Sequence, residues 1–269
     1  MPIFDNIPEL KEAFQGVDVG LQWAIFIVVC LIVLVALVSS CVAIWLAIKY
    51  IVYNRRMNSK GITGADAARQ ILDKNGLQKI KVSTFGSLLF GNSYSHYFKK
   101  VRIRRLTNKK PSITSLAIGA QKASLAILDK EGDKDMKTRI ILTPIMYFGP
   151  FAFIPLIVVG VILDFLIFGS FKAIFTVTFA GIGILFYVVS FVLSLMVLKT
   201  EVKAQKKAVQ ILKEDDMATE EEINMMKELF KLYNIQYVND LILEFLQMLL
   251  KILQFVAKIQ GNSSSNSSN

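Results

Sequence analysis

The sequence predicts a predominantly α-helical integral membrane protein, with three or four membrane helices and a small cytoplasmic α+β unit. Hydrophobic residues make up 54% of the 269 residues, and the mean hydropathy is +0.49. Soluble globular chains hold about 45–50% apolar residues. Long stretches without any charged residue add to this bias. The composition therefore excludes an ordinary cytosolic protein, a disordered protein and a disulfide-rich secreted domain.

The first predicted membrane helix covers residues 19–50. No charged residue occurs in Val19–Ile48, and about 20 apolar residues suffice to cross a bilayer. This stretch exceeds the roughly 7–15 apolar residues of a signal peptide core. Residues 1–18 before it are polar and acidic, and we expect them outside the cytoplasm. Cys30 and Cys41 lie too far apart on such a helix to form a disulfide.

The polar segment 49–139 is strongly basic. It holds 20 Lys and Arg against 6 Asp and Glu, a net charge of +14. Basic residues next to membrane helices indicate the cytoplasmic side. We therefore expect residues 49–139 in the cytoplasm, in a multi-pass plasma-membrane protein whose N-terminus is outside.

Within this segment we predict an α+β unit over residues 55–135. Thr63 and Asp66 mark a helix start, and residues 65–74 form the helix. Residues 79–85 and 97–106 alternate between polar and apolar side chains, which predicts two strands. A further helix is predicted from Ser112, since its apolar residues recur at helical spacing.

The remaining elements follow from the same charge pattern. Uncharged stretches predict further membrane helices, and the polar stretches between and after them predict cytoplasmic or surface segments. The helix after residue 234 carries a narrow polar stripe, so it is either amphipathic or a fourth membrane helix. The predicted segments are membrane helices 140–168 and 172–198, cytoplasmic helices 199–234, the amphipathic or fourth membrane helix 235–260, and a disordered Ser/Asn tail 261–269.

Several blocks of the chain resemble a known family. The longest is Gly61–Leu77, which has the pattern G-x-T-G-x-x-x-A-R-x-I-L-D-x-N-G-L. Shorter blocks follow in the same order at Val101–Ile103, Leu142–Ile145 and Glu201–Ala208. Together they resemble the YugP-like neutral zinc metallopeptidases of bacterial membranes over roughly residues 20–255.

The resemblance implies an H-E-x-x-H zinc motif on the helix that starts at Ser112, yet this sequence departs from it. Gln121 stands where the first His belongs, Lys122 replaces the general base, and Leu125 replaces the second His. Leu125 has no lone pair to offer, and an ammonium repels a metal cation. Glu201 alone keeps a ligand-type side chain at its matched position. We therefore expect no metal site, no catalytic residue and no cofactor, and activity as an enzyme is uncertain with the balance against it.

A replacement contact follows from this loss. Without a metal ion, Glu201 would be left with an uncompensated charge near the membrane, which is costly if it is buried. Lys122, or Gln121 through a hydrogen bond, could take the place of the metal. The alternative is that these side chains point into water.

Other polar residues carry weaker signals. Asp164 is either an intramembrane functional acid or an interfacial one, and His96, the one histidine, is expected on the surface. A basic cluster next to aromatic residues could bind anionic lipid head groups, or it could simply be solvated. We expect no nucleic acid to bind there. The cluster comprises Lys99, Lys100, Arg102, Arg104 and Arg105.

The function that these observations favour is a non-catalytic scaffold, a pseudopeptidase that contacts the lipid bilayer and binds a protein partner not identified by the sequence. An anionic-lipid-binding or nucleic-acid-binding membrane anchor is one alternative. A transporter component is another, although the uncharged membrane stretches lack the polar residues that a water-filled path needs.

Overall fold

The computed structural model describes residues 16–170 and 174–266 and is mostly α-helical. Residues 1–15 of the predicted extracytoplasmic segment lie outside the described residues. Residues 267–269 of the predicted tail lie outside them as well. The described elements are α1 Val19–Arg55, α2 Gly64–Lys74, β1 Lys81–Ser83, α3 Ser87–Phe90, β2 Ser93–Ser95, β3 Lys100–Arg102, α4 Arg105–Asn108, α5 Ile113–Lys130, α6 Lys134–Phe168, α7 Ile174–Glu214 and α8 Glu220–Asn266.

Helix starts are determined by local capping. The Thr63 hydroxyl accepts a hydrogen bond from the backbone N–H of Asp66 at the start of α2, and Ser112 caps α5 in the same way. Thr219 and Glu222 exchange side-chain to backbone hydrogen bonds before α8. Each cap satisfies backbone donors that a helix start leaves unpaired, so the predicted starts of α2 and α5 are confirmed.

The sheet has three short strands in the order β1-β3-β2. β1 pairs with β3 in parallel, and β2 pairs with β3 in antiparallel orientation. β1 and β3 lie within the two predicted strands but are shorter than predicted, because Lys99 turns the chain with a φ of 42° and α4 begins at Arg105. Val101 and Ile103 are fully buried, as the predicted alternation requires.

One compact unit comprises Cys41–Tyr147 and Val192–Tyr237. Its core joins the α2–α5 pair with Ala208 and Leu212 of α7 and the first turns of α8. Ile71, Leu116, Leu212 and Leu229 are fully buried members of this core. Burial of apolar surface on this scale is the main force that holds the unit together.

A second unit comprises Met1–Ser40, Phe148–Phe191 and Val238–Asn269. Within it, Asp164 is fully buried. Its carboxylate accepts hydrogen bonds from the backbone N–H groups of Phe175 and Thr176 and from the Thr176 hydroxyl. Asp164 therefore stabilises the first turn of α7, where unpaired N–H groups and the helix dipole favour a negative charge.

Two of the described helices, α1 and α7, are long and apolar enough to cross a membrane, and α6 contributes a shorter apolar stretch at Ile154–Phe168. Apolar side chains lie on the outside of α1; Leu37, for example, is 61% exposed. Such surfaces are typical of helices that contact lipid. The predicted number of three or four membrane helices stays a prediction.

The C-terminal helix differs from the prediction. α8 is continuous from Glu220 to Asn266, so it crosses the predicted boundary at residues 234 and 235. It also includes residues 261–266 of the predicted disordered tail. No proline interrupts this stretch, and a single helical Gly261 costs only about 1 kcal/mol relative to Ala.

Candidate functional site

Helices α5 and α7 bring Gln121, Lys122 and Glu201 together. The Lys122 Nζ lies 2.8 Å from the Glu201 Oε2, and the Gln121 Nε2 donates to the same oxygen over 2.9 Å. The Lys122 and Glu201 side chains are only 11% and 17% exposed. The predicted contact between these residues is therefore confirmed, and the alternative that they point into water is wrong.

Arg139 completes this cluster, and sequence reasoning missed it. Its guanidinium donates to the Glu201 Oε1 over 2.9 Å and to the Thr200 hydroxyl over 2.7 Å. A signal was present, because Arg139 directly precedes the second uncharged stretch and Glu201 closely follows the third. Two helices that run in opposite directions and meet at a short turn place those positions side by side. We call Gln121, Lys122, Arg139 and Glu201 the charge cluster.

The electrostatics of the charge cluster favour an ionised Glu201. Burial alone would raise the pKa of this carboxyl group. The positive charges of Lys122 and Arg139, and their hydrogen bonds, outweigh burial and lower the pKa of Glu201 to about 2. The cluster thus contains two cations on one carboxylate, a net charge of +1.

α5 packs closely against its neighbours around Gln121 and Lys122. Gly119 lies so close to α2 that an added Cβ would fall 2.2 Å from the Gly64 carbonyl oxygen. Leu125 is 1% exposed and packs in a small apolar cluster with Leu128. The side chain of Leu125 therefore serves packing, and it directs no donor atom towards Glu201.

A cavity of about 240 Å³ opens beside the charge cluster. Lys122 and Glu201 contribute to its wall, together with Arg104 from the segment that follows β3. On another side, the amides of Gln205 and Asn234 hydrogen-bond to each other in both directions, at 2.8 Å each. Their polar atoms are therefore largely satisfied within the protein.

A family model described as "Putative neutral zinc metallopeptidase" matches residues 27–256. The chain belongs to this family. It is also similar to "Putative membrane protease YugP" of Bacillus subtilis (strain 168), with 25% identity over 207 residues, 76% of this chain and 85% of that protein. No solved structure matches the chain significantly. The resemblance predicted from the sequence blocks is confirmed.

Zinc, the metal that the name of this metallopeptidase family implies, does not fit the donor atoms of the charge cluster. Zinc sites in proteins use thiolate, imidazole and carboxylate ligands. Here Glu201 is the one carboxylate of the cluster, and the Lys122 ammonium and the Arg139 guanidinium hydrogen-bond to its two oxygens. A metal ion would have to displace both cations and would meet their repulsion. Among the described residues, no group of three or more His, Cys, Asp or Glu side chains could hold a metal ion.

His96 lies in a different part of the same unit. Its Nδ1 is 2.6 Å from the Asp129 Oδ2, to which the Tyr94 hydroxyl also donates over 2.6 Å. The His96 side chain is 46% exposed, in agreement with the predicted surface position. These contacts tie the β2–β3 segment to the end of α5.

Proposed function

We propose that this protein is a pseudopeptidase: a member of a zinc metallopeptidase family that no longer hydrolyses peptides with zinc. In this proposal it serves in a bacterial plasma membrane as a scaffold that binds a protein partner. The observation that carries the proposal is the Lys122 ammonium 2.8 Å from Glu201. A positive side chain thus lies against Glu201, the one residue that keeps a ligand-type side chain.

The chemistry of Lys122 supports this proposal in two ways. Zinc-dependent hydrolysis needs a general base to take a proton from the attacking water. A lysine ammonium has three donors and no acceptor, so it cannot take that proton. It also neutralises Glu201, which removes the negative charge that would attract a metal ion.

The proposal includes a topology. We place residues 49–139 in the cytoplasm and the N-terminus outside, with membrane helices at 19–50, 140–168 and 172–198, and a fourth helix within 235–260 either crossing or lying on the membrane. The net charge of +14 on 49–139 supports this orientation, and the two apolar helices α1 and α7 support a membrane location.

Metal content and proteolysis of the purified full-length protein test the proposal. Elemental analysis is expected to find far less than one zinc per chain, and casein or quenched-fluorescence peptides should not be cleaved. Stoichiometric zinc, or cleavage that a chelator abolishes and added zinc restores, would overturn the proposal.

A restored motif provides the matched control. The triple variant Gln121→His, Lys122→Glu, Leu125→His supplies two imidazoles and a general base on one face of α5. Together with Glu201 it contains three zinc ligands, and we expect it to bind zinc where the unmodified protein does not. If neither protein binds zinc although both remain folded, the attribution of zinc loss to these three positions is wrong.

A second candidate function is contact with anionic lipid, favoured by the outer face of the sheet. Val101 is buried, so its neighbours Lys100 and Arg102 on β3 face the other way. The Lys100 Nζ lies 4.9 Å from the Phe85 ring centroid, and the Arg102 guanidinium lies 5.5 Å from that of Phe98. Both rings are largely exposed, at 81% and 73%, and such basic and aromatic surfaces suit a membrane interface.

Hydrogen–deuterium exchange of the full-length protein in lipid nanodiscs tests this second candidate. Residues 81–102 should be better protected in nanodiscs with phosphatidylglycerol than in pure phosphatidylcholine. High salt, or the pair of variants Lys100→Glu and Arg102→Glu, should remove that difference. Equal protection in both lipids would refute it.

A further inference from the structure

The wall of the cavity beside the charge cluster carries more positive than negative side chains. Arg104 and Lys122 both line it, and Glu201 is the one acidic residue among the described residues of its wall. The carboxylate of Glu201 already accepts hydrogen bonds from Lys122, Gln121 and Arg139. Its capacity is therefore largely used within the protein.

The two cations retain unused donors. Lys122 donates to Glu201 and has three ammonium protons. Within the described part of the chain, no ion pair joins the Arg104 guanidinium to a carboxylate. The bond between Arg104 and the Asn92 side chain is made by the Arg104 backbone N–H and not by the guanidinium. The guanidinium lies beside Gly91, where an added Cβ would meet it at 3.7 Å, an ordinary contact distance. An excess of positive charge thus borders the cavity.

The rest of the wall is apolar or aromatic. Ile118, Leu198, Tyr233 and Tyr237 contribute to it. With a volume of about 240 Å³, the cavity is smaller than the roughly 300–1,000 Å³ of drug-sized ligand pockets. It suits the end of a chain or a small acid better than a long extended segment.

We propose that this cavity binds a carboxylate attached to an apolar body. Arg104 and Lys122 hold the carboxylate, and the side chains of Ile118, Leu198 and Tyr237 contact the apolar part. The C-terminal residue of a polypeptide has this chemistry, and so does a free small carboxylic acid. The inference rests on the proposed function, because it assigns to the cavity a bound partner in place of a zinc-activated substrate.

Fluorescence anisotropy with the detergent-solubilised full-length protein tests the inference. The probe is the tripeptide Ala-Ala-Leu with an N-terminal fluorophore, prepared once with a free C-terminal carboxylate and once as the C-terminal amide. The two probes differ only in the C-terminal group, a charged carboxylate in the first and a neutral amide in the second. We expect the carboxylate to bind about tenfold more tightly than the amide, as the loss of a charged hydrogen bond implies.

Neighbouring arginines provide a matched pair of variants. Arg104→Gln should weaken the binding of the carboxylate probe about tenfold and leave the amide unchanged. Arg105, the next residue, is also exposed but does not line the cavity, so Arg105→Gln should bind like the unmodified protein. Equal losses in both variants would assign the effect to general surface charge and overturn the inference, as would equal binding of carboxylate and amide or no binding of either probe at millimolar concentration.

Competition separates the two sources of the carboxylate. If unlabelled N-acetyl-leucine displaces the probe as well as unlabelled tripeptide does, the cavity recognises a small acid; if the tripeptide competes far better, it recognises a polypeptide end. Both outcomes support carboxylate binding. The zinc content of the same samples tests the proposed function separately, since carboxylate binding can fail in a zinc-free protein.

Discussion

The contact between Lys122 and Glu201 predicts a coupling free energy that a double-mutant cycle measures. The cycle uses Lys122→Met, Glu201→Gln and the combination of both. Methionine keeps most of the length of lysine without its charge. The side chains are 11% and 17% exposed, so solvent weakens their interaction much less than that of a surface pair.

The structure sets the expected magnitudes. In Lys122→Met, Arg139 still bonds to the other oxygen of Glu201, so we expect the loss of one charged hydrogen bond, about 2 kcal/mol. Glu201→Gln leaves two poorly solvated cations without a carboxylate and should cost about 3–5 kcal/mol. The double variant removes one of those cations too, so its cost should fall about 2 kcal/mol below the sum of the single costs.

Thermal unfolding of the full-length protein in detergent, followed by circular dichroism at a fixed scan rate, measures these differences. A loss of 2 kcal/mol corresponds to a decrease of about 4–8 °C in Tm for a protein of this size range. Lys199→Met is the control, because Lys199 is 63% exposed in its ion pair with Asp135 and should change stability by less than about 1 kcal/mol. Additive single costs, with no coupling, would refute the assigned role of Lys122.

Three further predictions concern stability. The pKa of Glu201 is lowered to about 2 from an ordinary value of 4.5, so its contribution to the free energy of unfolding is present above about pH 4.5 and lost as pH falls towards 2. Between pH 6 and 3 the unmodified protein should therefore lose about 2 kcal/mol more stability than Glu201→Gln. The change in Tm with pH measures this difference. Gly119→Ala should destabilise the protein by about 3 kcal/mol because the new Cβ would meet the Gly64 carbonyl. The control Gly181→Ala has open space around the new Cβ and should be neutral or slightly stabilising in the same melts. Equal effects of the two variants would contradict the close packing at Gly119. Glu222→Ala removes the acceptor for two backbone N–H groups and should cost about 1–2 kcal/mol, and an unchanged Tm would show that this cap is unimportant.

Features governed by neighbouring residues could be predicted from the sequence. The caps at Thr63 and Ser112 involve groups three residues apart, so the local sequence reveals them. The alternation at Val101 and Ile103 likewise follows from one strand. Such elements need no knowledge of the rest of the fold.

Features that depend on distant segments were harder to predict. β2 has the sequence Ser-Tyr-Ser, which carries no apolar alternation, and it forms because β3 offers it a pairing edge. Arg139 resembles any basic residue beside a membrane helix, and its bond to Glu201 becomes visible once α6 and α7 are placed. The cavity residue Arg104 was predicted as part of a lipid-binding cluster for the same reason, since a basic stretch does not show which side chain borders a cavity.

The contact between Gly119 and Gly64 has a consequence for evolution. Lys122 follows Gly119 by less than one helical turn, so the close backbone contact helps to fix the part of α5 that carries the ammonium. A single methyl group inserted there would shift α5 relative to α2 and disturb the position from which Lys122 contacts Glu201 at 2.8 Å. Selection on the ion pair is therefore expected to preserve two residues that have no side chain and no charge, and whose role a search for conserved functional groups would overlook.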